Sequence, residues 1–143
     1  MTMRYSYPAD LLQEADGVTI TFADVPGAIS HGATRAEALV HGAEALASVL
    51  ADMAAAGEAL PRPGPARGRP LVSVTATEAA KLALNEAMRV RGVTNVALAA
   101  LLGVDEKAAR RLRDVLHGSR MPELERALAA LGKRVTLAVD DAA

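Results

Sequence analysis

Lys107, Arg110 and Arg111 place three cations within five residues, directly after Glu106. On a helix these side chains project together, and guanidinium and ammonium heads suit the phosphates and base edges of a DNA major groove. Asn95, at the start of a preceding helix, is positioned to reach a phosphate, while Glu106 shares the outward face. The plainer reading of the same pattern is two amphipathic helices with a solvated charged side.

A second set of residues invites hydrolytic chemistry. Asp10, Asp16 and Asp24 are the carboxylates a two-metal nuclease would need to converge. Asp16 and Asp24 fall in predicted turns, however, and Asp10 is out of phase with the apolar positions of its strand, so convergence is not expected. The spacing of His31, His41 and His117 matches no metal-ligand motif. The chain has no cysteine, which excludes disulfides, thiolate metal sites and cysteine nucleophiles. No catalytic residue, metal or cofactor is expected.

The elements around the cations follow from positional physics. Between Thr94 and Leu112, Leu98, Ala99 and Leu102 share one face of a first helix that Thr94 or Asn95 caps. Ala99 is small where a second helix crosses it. Gly103 stands where the chain leaves the helix, a place suited to a left-handed backbone. Val104 is expected to plug the corner and Asp105 to cap the second helix. Ala109 and Leu112 turn that helix's apolar side inward and leave Glu106, Lys107, Arg110, Arg111 and Asp114 outside. The pattern reads as a helix-turn-helix. One such unit makes few contacts, so a symmetric homodimer is expected.

Charge is divided unevenly along the chain. Residues 1–60 hold two basic side chains against eight acids, and the remainder holds fourteen against nine. This asymmetry suits a cationic partner for the first half and nucleic acid for the second. Between them, LPRPGPARGRP (60–70) has no apolar periodicity and reads as an extended, exposed linker or loop. Tyr5, Tyr7 and Phe22 are the only aromatics, so the cores must be built from Ala, Leu and Val and are thin enough to favour oligomers. No apolar run is expected to approach a membrane span, and the N-terminus lacks a signal-peptide layout. Both features point to a cytoplasmic protein.

Upstream of the linker, Met3–Leu12 and Val18–Phe22 alternate at period two and are expected to pair as a hairpin, with a short third strand at 28–31. Thr34 and Glu37 form a capping box for a helix that Gly57 stops. After the linker, Leu71–Thr75 is expected to return to the same sheet. A helix over Thr77–Val90, capped by Thr77, then leads into the helix-turn-helix. Pro122 opens a last helix closed by Gly132, and Val135, Leu137 and Val139 alternate in a terminal strand. Leu124, Leu128, Leu131 and that strand are dimer elements or, equally, parts of the domain's own core. The fold class is α+β: residues 1–60 with 70–75 form one domain, 61–70 a linker, and 77–143 a helical DNA-binding domain.

The stretch from Val18 to Leu39, VTITFADVPGAISHGATRAEAL, preceded by Tyr7-Pro8 and followed by GEALPRP (57–63), resembles the HicB antitoxins of HicA/HicB toxin-antitoxin systems. Thr94–Leu112 followed by Met121–Val139 resembles the repressor-like helix-turn-helix of one branch of that family. The resemblance covers nearly the whole chain. It departs at Ala28, where many relatives have cysteine. It implies a partial ribonuclease H-like β-β-β-α-β domain that blocks a small basic HicA-type mRNA-cleaving toxin, and a DNA-binding domain that represses the operon. Asp10, Glu14, Asp16 and Asp24 are then the candidate toxin contacts, their carboxylates standing in for RNA phosphates. The alternative is a stand-alone helix-turn-helix regulator whose first domain binds a ligand or dimerises.

Overall fold

A computed structural model describes residues 2–142. Two compact units divide it: one comprises residues up to Leu50 with Pro61–Val74, the other Ala51–Leu60 with Thr75–Asp140. The described residues form an α+β chain with five helices and two small sheets.

In the first unit the predicted opening strand is split. β1 (Ser6–Pro8) pairs antiparallel with β5 (Leu71–Ser73), whereas β2 (Asp10–Glu14) pairs with β3 (Gly17–Thr21), which pairs with β4 (Ile29–Gly32). The break falls at Ala9, whose N–H donates to the Pro70 carbonyl at 2.9 Å and so is withdrawn from the β2–β3 ladder. Consequently β5 joins a two-stranded sheet with β1, not the sheet that holds β3. The period-two phase survives the break: Tyr5, Tyr7 and Ala9 are buried, as are Val18, Ile20 and Phe22.

α1 (Arg35–Ala55) starts where Thr34 accepts the Glu37 N–H at 3.2 Å. Its Ala38, Leu46 and Leu50 are buried. A β-carbon on Gly42 would lie 2.6 Å from Ile20 Cδ1, so the missing side chain is what lets helix and β3 approach closely. α1 has 21 residues and its most apolar 18-residue stretch has a mean hydropathy of 1.3, so by length and composition alone it is long and apolar enough to cross a bilayer, contrary to the expectation that no such run exists. Alanines raise its average, but Glu37, Glu44 and Asp52 interrupt it and the buried stripe belongs to a protein core.

The proline-rich segment is fastened to the first unit by hydrogen bonds. Tyr7 Oη donates to the Pro61 carbonyl at 2.6 Å, and the Gly64 N–H donates to Asp24 Oδ2 at 2.9 Å. Arg69 reaches Asp10 at 3.5 Å.

The second unit packs α2 (Ala76–Arg91), α3 (Asn95–Leu102), α4 (Glu106–Arg113) and α5 (Met121–Ala130) around one apolar core. Ala80, Ala87, Ala99, Ala109 and Ala127 let the helices cross closely, and Leu84, Met88, Leu98, Leu112, Leu124, Leu128 and Leu131 fill the spaces between them. The cap of α2 is Thr75, two residues before the expected Thr77, because Thr75 accepts the Glu78 N–H while Glu78 accepts the Thr75 N–H, a complete capping box. Pro122 is the second, not the first, residue of α5. The chain after α5 carries no strand: Val135, Leu137 and Val139 are exposed, since strand backbone needs a ladder partner and none lies beside it among the described residues.

Candidate nucleic-acid interface and acidic sheet face

α3 and α4 are joined by a tight turn over residues 103–105. Thr94 caps α3 by accepting the Ala97 N–H at 3.1 Å, and Gly103 takes φ +65° at its end, where a β-carbon would be disfavoured. Asp105 caps α4 by accepting the Ala108 N–H at 2.7 Å. Leu98, Ala99, Ala109 and Leu112 are buried between them. Val104 does not plug the corner: its N–H donates to the Ala99 carbonyl at 3.0 Å, but its side chain is 39% exposed and lines an open groove.

The outer face of α4 carries Glu106, Lys107, Arg110 and Arg111, all exposed. Arg110 Nη2 lies 2.6 Å from Glu106 Oε1, an i,i+4 pair that holds one cation along the helix. Lys107 and Arg111 make no ion pair among the described residues. Asn95 Oδ1 accepts from Arg113 Nη1 at 2.9 Å, which holds the side chain in place and leaves its amide N–H groups as the donors a phosphate would require.

Beneath α4 lies a polar cluster that motif reading missed. Lys81 of α2 is fully buried, and its Nζ donates to the carbonyls of Arg111 and Asp114, each at 2.9 Å, and to that of His117. One turn on, Asn85 Nδ2 donates to the Lys81 carbonyl at 2.8 Å and to the Arg113 carbonyl at 2.7 Å, while its Oδ1 accepts from Arg113 Nε at 3.0 Å. Burial pulls the Lys81 ammonium below the usual lysine range, and Asp114 and Glu123 draw it part of the way back. Burial likewise lowers the Arg113 guanidinium, which stays charged. The available signal was that Lys81 and Asn85 sit four apart, beside the apolar stripe of Ala80, Leu84 and Met88.

In the first unit, strand alternation sends Asp10, Leu12 and Glu14 of β2 to one side of the sheet. Thr21 and Thr19 stand opposite Asp10 and Leu12 on β3, with Ile29 and His31 beyond on β4. Leu12 and Ile29 are 62% and 59% exposed. Glu14 accepts from Thr19, and Asp16 Oδ1 lies 3.7 Å from His31 Nε2. Three of the four candidate acids thus belong to this face or the turn at its end. Asp24 does not; it is half-buried and holds Gly64. Leu124, Leu128 and Leu131 are core residues of the second unit, whereas Val135, Leu137 and Val139 are accessible. Among the described residues no three His, Asp or Glu side chains are grouped to hold a metal ion.

No protein-family model matches the chain. It is 31% identical over 137 residues to a Photorhabdus laumondii protein named antitoxin HicB 2, covering 96% of this chain and 98% of that one. The chain belongs to the HicB antitoxin family. Antitoxin HicB of Pseudomonas fluorescens is 29% identical over 143 residues, covering 99% of this chain and 98% of its own. Antitoxin HicB of Escherichia coli K12 is 28% identical over 133 residues, covering 92% and 96%. The similarity of this HicB-family chain therefore takes in both the acidic sheet face and the α3–α4 pair. These relatives carry the name of antitoxins and not of enzymes.

Proposed function

We propose that this chain is an antitoxin that works by covering surfaces. Its second unit binds the operator of its own operon through a helix-turn-helix formed by α3 and α4. Its first unit, which we read as a partial ribonuclease H-like domain, shields a small basic HicA-type toxin. The observation that carries the DNA reading is the capped α4 beyond the Gly103 turn, with Lys107 and Arg111 exposed and in no ion pair among the described residues. A short helix so mounted enters a major groove with its exposed side chains against bases and phosphates.

The toxin reading is supported by family membership and by the face bearing Asp10, Leu12, Glu14 and Ile29. Carboxylates there complement a surface built to hold RNA phosphates, and the two exposed aliphatic side chains offer area that a protein partner can bury. Both activities belong in the cytoplasm and need no cofactor. A homodimer would place two α4 helices on successive turns of the operator, and Val135, Leu137 and Val139 supply exposed strand-forming residues for pairing across a two-fold. Sedimentation as a monomer would remove that element.

A short reading frame for a small basic protein is expected beside this gene, and co-expression with its product tests the whole. Rescue of growth is expected, together with a gel shift of the upstream DNA. A neighbour that is not toxic, or whose toxicity persists, ends the antitoxin reading.

A further inference from the structure

We propose that Lys81 and Asn85 of α2 are positioning residues for DNA reading: together they hold the C-terminal end of α4 and so set how α4 is presented. The inference rests on the reading of α4 as the DNA-contacting helix.

The last carbonyls of an α-helix have no partner within the helix. α4 ends without a glycine, its capping Asp114 being extended. The carbonyls of Arg111, Arg113 and Asp114, and that of His117 beyond, are instead taken by two side chains one turn apart on α2. A cation at a helix C-terminus also meets the negative end of the helix dipole.

An apolar side chain of Lys81's size would fill this space without the cost of burying a charge. What the ammonium adds is direction. Three carbonyls converging on one nitrogen fix the end of α4 along its axis and in rotation, which an apolar contact leaves free to slide. Arg113 carries the same constraint outward, joining Asn85 Oδ1 to Asn95 Oδ1 and tying α2, α4 and the first turn of α3 into one frame. Rotation of α4 decides whether Lys107 and Arg111 meet a base edge or only a phosphate. The clamp therefore bears on sequence discrimination more than on general attraction to DNA.

Lys81→Met in the full chain tests this, with binding measured to a duplex carrying the sequence upstream of the gene and to a random duplex of equal length. The variant is expected to keep its helical circular dichroism and its salt slope, because the exposed cations remain. The ratio of specific to random affinity should fall about tenfold, as for a misread base pair. If Lys81→Met fails to fold, Arg113→Met, in which a half-buried side chain is changed, carries the test with a drop of about fivefold, the low end for a misread base pair. A folded variant of either kind with the wild-type ratio overturns the proposal; a merely structural clamp would lower the melting temperature and leave that ratio unchanged. A wild-type chain that does not prefer the upstream duplex overturns the DNA reading itself, a result distinguishable from failure of the clamp.

Discussion

The Gly64 N–H donates to Asp24 Oδ2 at 2.9 Å across forty residues of sequence. Asp24, in the turn between β3 and β4, thereby pins a segment with four prolines that has few N–H groups of its own to offer. Asp24→Ala strands a half-buried donor and should lower the unfolding free energy by about 1–2 kcal/mol. Asp24→Asn keeps an acceptor and should lose less than half of that. Urea titrations of the two variants check it, and folded Asp24→Asn should bind the toxin as wild type does. Weakened toxin binding would return Asp24 to the contact set.

Two glycines of the first unit should respond unequally to alanine. At Gly42 the new methyl would press on the Ile20 side chain, a cost of about 1–3 kcal/mol from overpacking. Alanine's better helix propensity offsets about 1 kcal/mol of that. At Gly32 a β-carbon would fall 2.3 Å from the Ala38 backbone nitrogen, which cannot rotate away. Melting temperatures should therefore rank wild type above Gly42→Ala and Gly42→Ala above Gly32→Ala. A reversed order would show that α1 is free to shift from the sheet.

What could be read from sequence was local. Thr94, Gly103 and Asp105 announce the α3–α4 turn because caps act within a few residues, and Thr34 with Glu37 marks the start of α1 for the same reason. Thr75 and Glu78 form an equally local capping box, but Thr77 offers a competing hydroxyl two residues on, and the sequence alone favours neither. The break at Ala9 could not be seen, since it depends on a carbonyl at Pro70. The expected strand over 135–139 has the right alternation, yet a strand exists only beside a partner. Lys81 was hidden because a lone lysine on a helix reads as solvated; its acceptors are backbone carbonyls 30 to 36 residues away, which no motif encodes.

If α4 lies on DNA, the salt dependence of binding should count its cations. Each phosphate contact contributes a slope of about 0.9 to log affinity against log salt. Lys107→Ala and Arg111→Ala should each flatten the slope by about 1 if the residue meets a phosphate. Arg110 is held by Glu106, so Arg110→Ala should change it less, and Glu106→Gln should steepen it by releasing Arg110. Slopes that none of the four variants alters would place the DNA contact elsewhere.

The buried Lys81 predicts a pH signature. Its proton leaves the folded chain at lower pH than the unfolded chain, where lysine titrates near about 10.4. Between those two values the unfolded chain holds more protons, so unfolding free energy rises with pH across the window and the gain is lost as pH falls back through the folded-state value. Relative to Lys81→Met, the wild type should therefore gain stability as pH is raised toward 10. Asp114→Asn removes a carboxylate that draws the lysine upward, and so should widen the window. Parallel pH profiles for wild type and Lys81→Met would contradict the burial argument.

The sheet face separates two contributions to toxin binding. Asp10 and Glu14 are exposed carboxylates whose role would be long-range attraction, so Asp10→Lys with Glu14→Lys should slow association about tenfold at low salt and matter less at high salt. Leu12 and Ile29 would instead be buried by the partner. Leu12→Ser should speed dissociation and cost about 1–2 kcal/mol of affinity with little salt dependence, while leaving stability nearly unchanged because the side chain is 62% exposed in the free chain. Stopped-flow association and dissociation rates against the purified toxin distinguish the two effects. If charge reversal and Leu12→Ser both leave the rates unchanged, the toxin does not sit on this face.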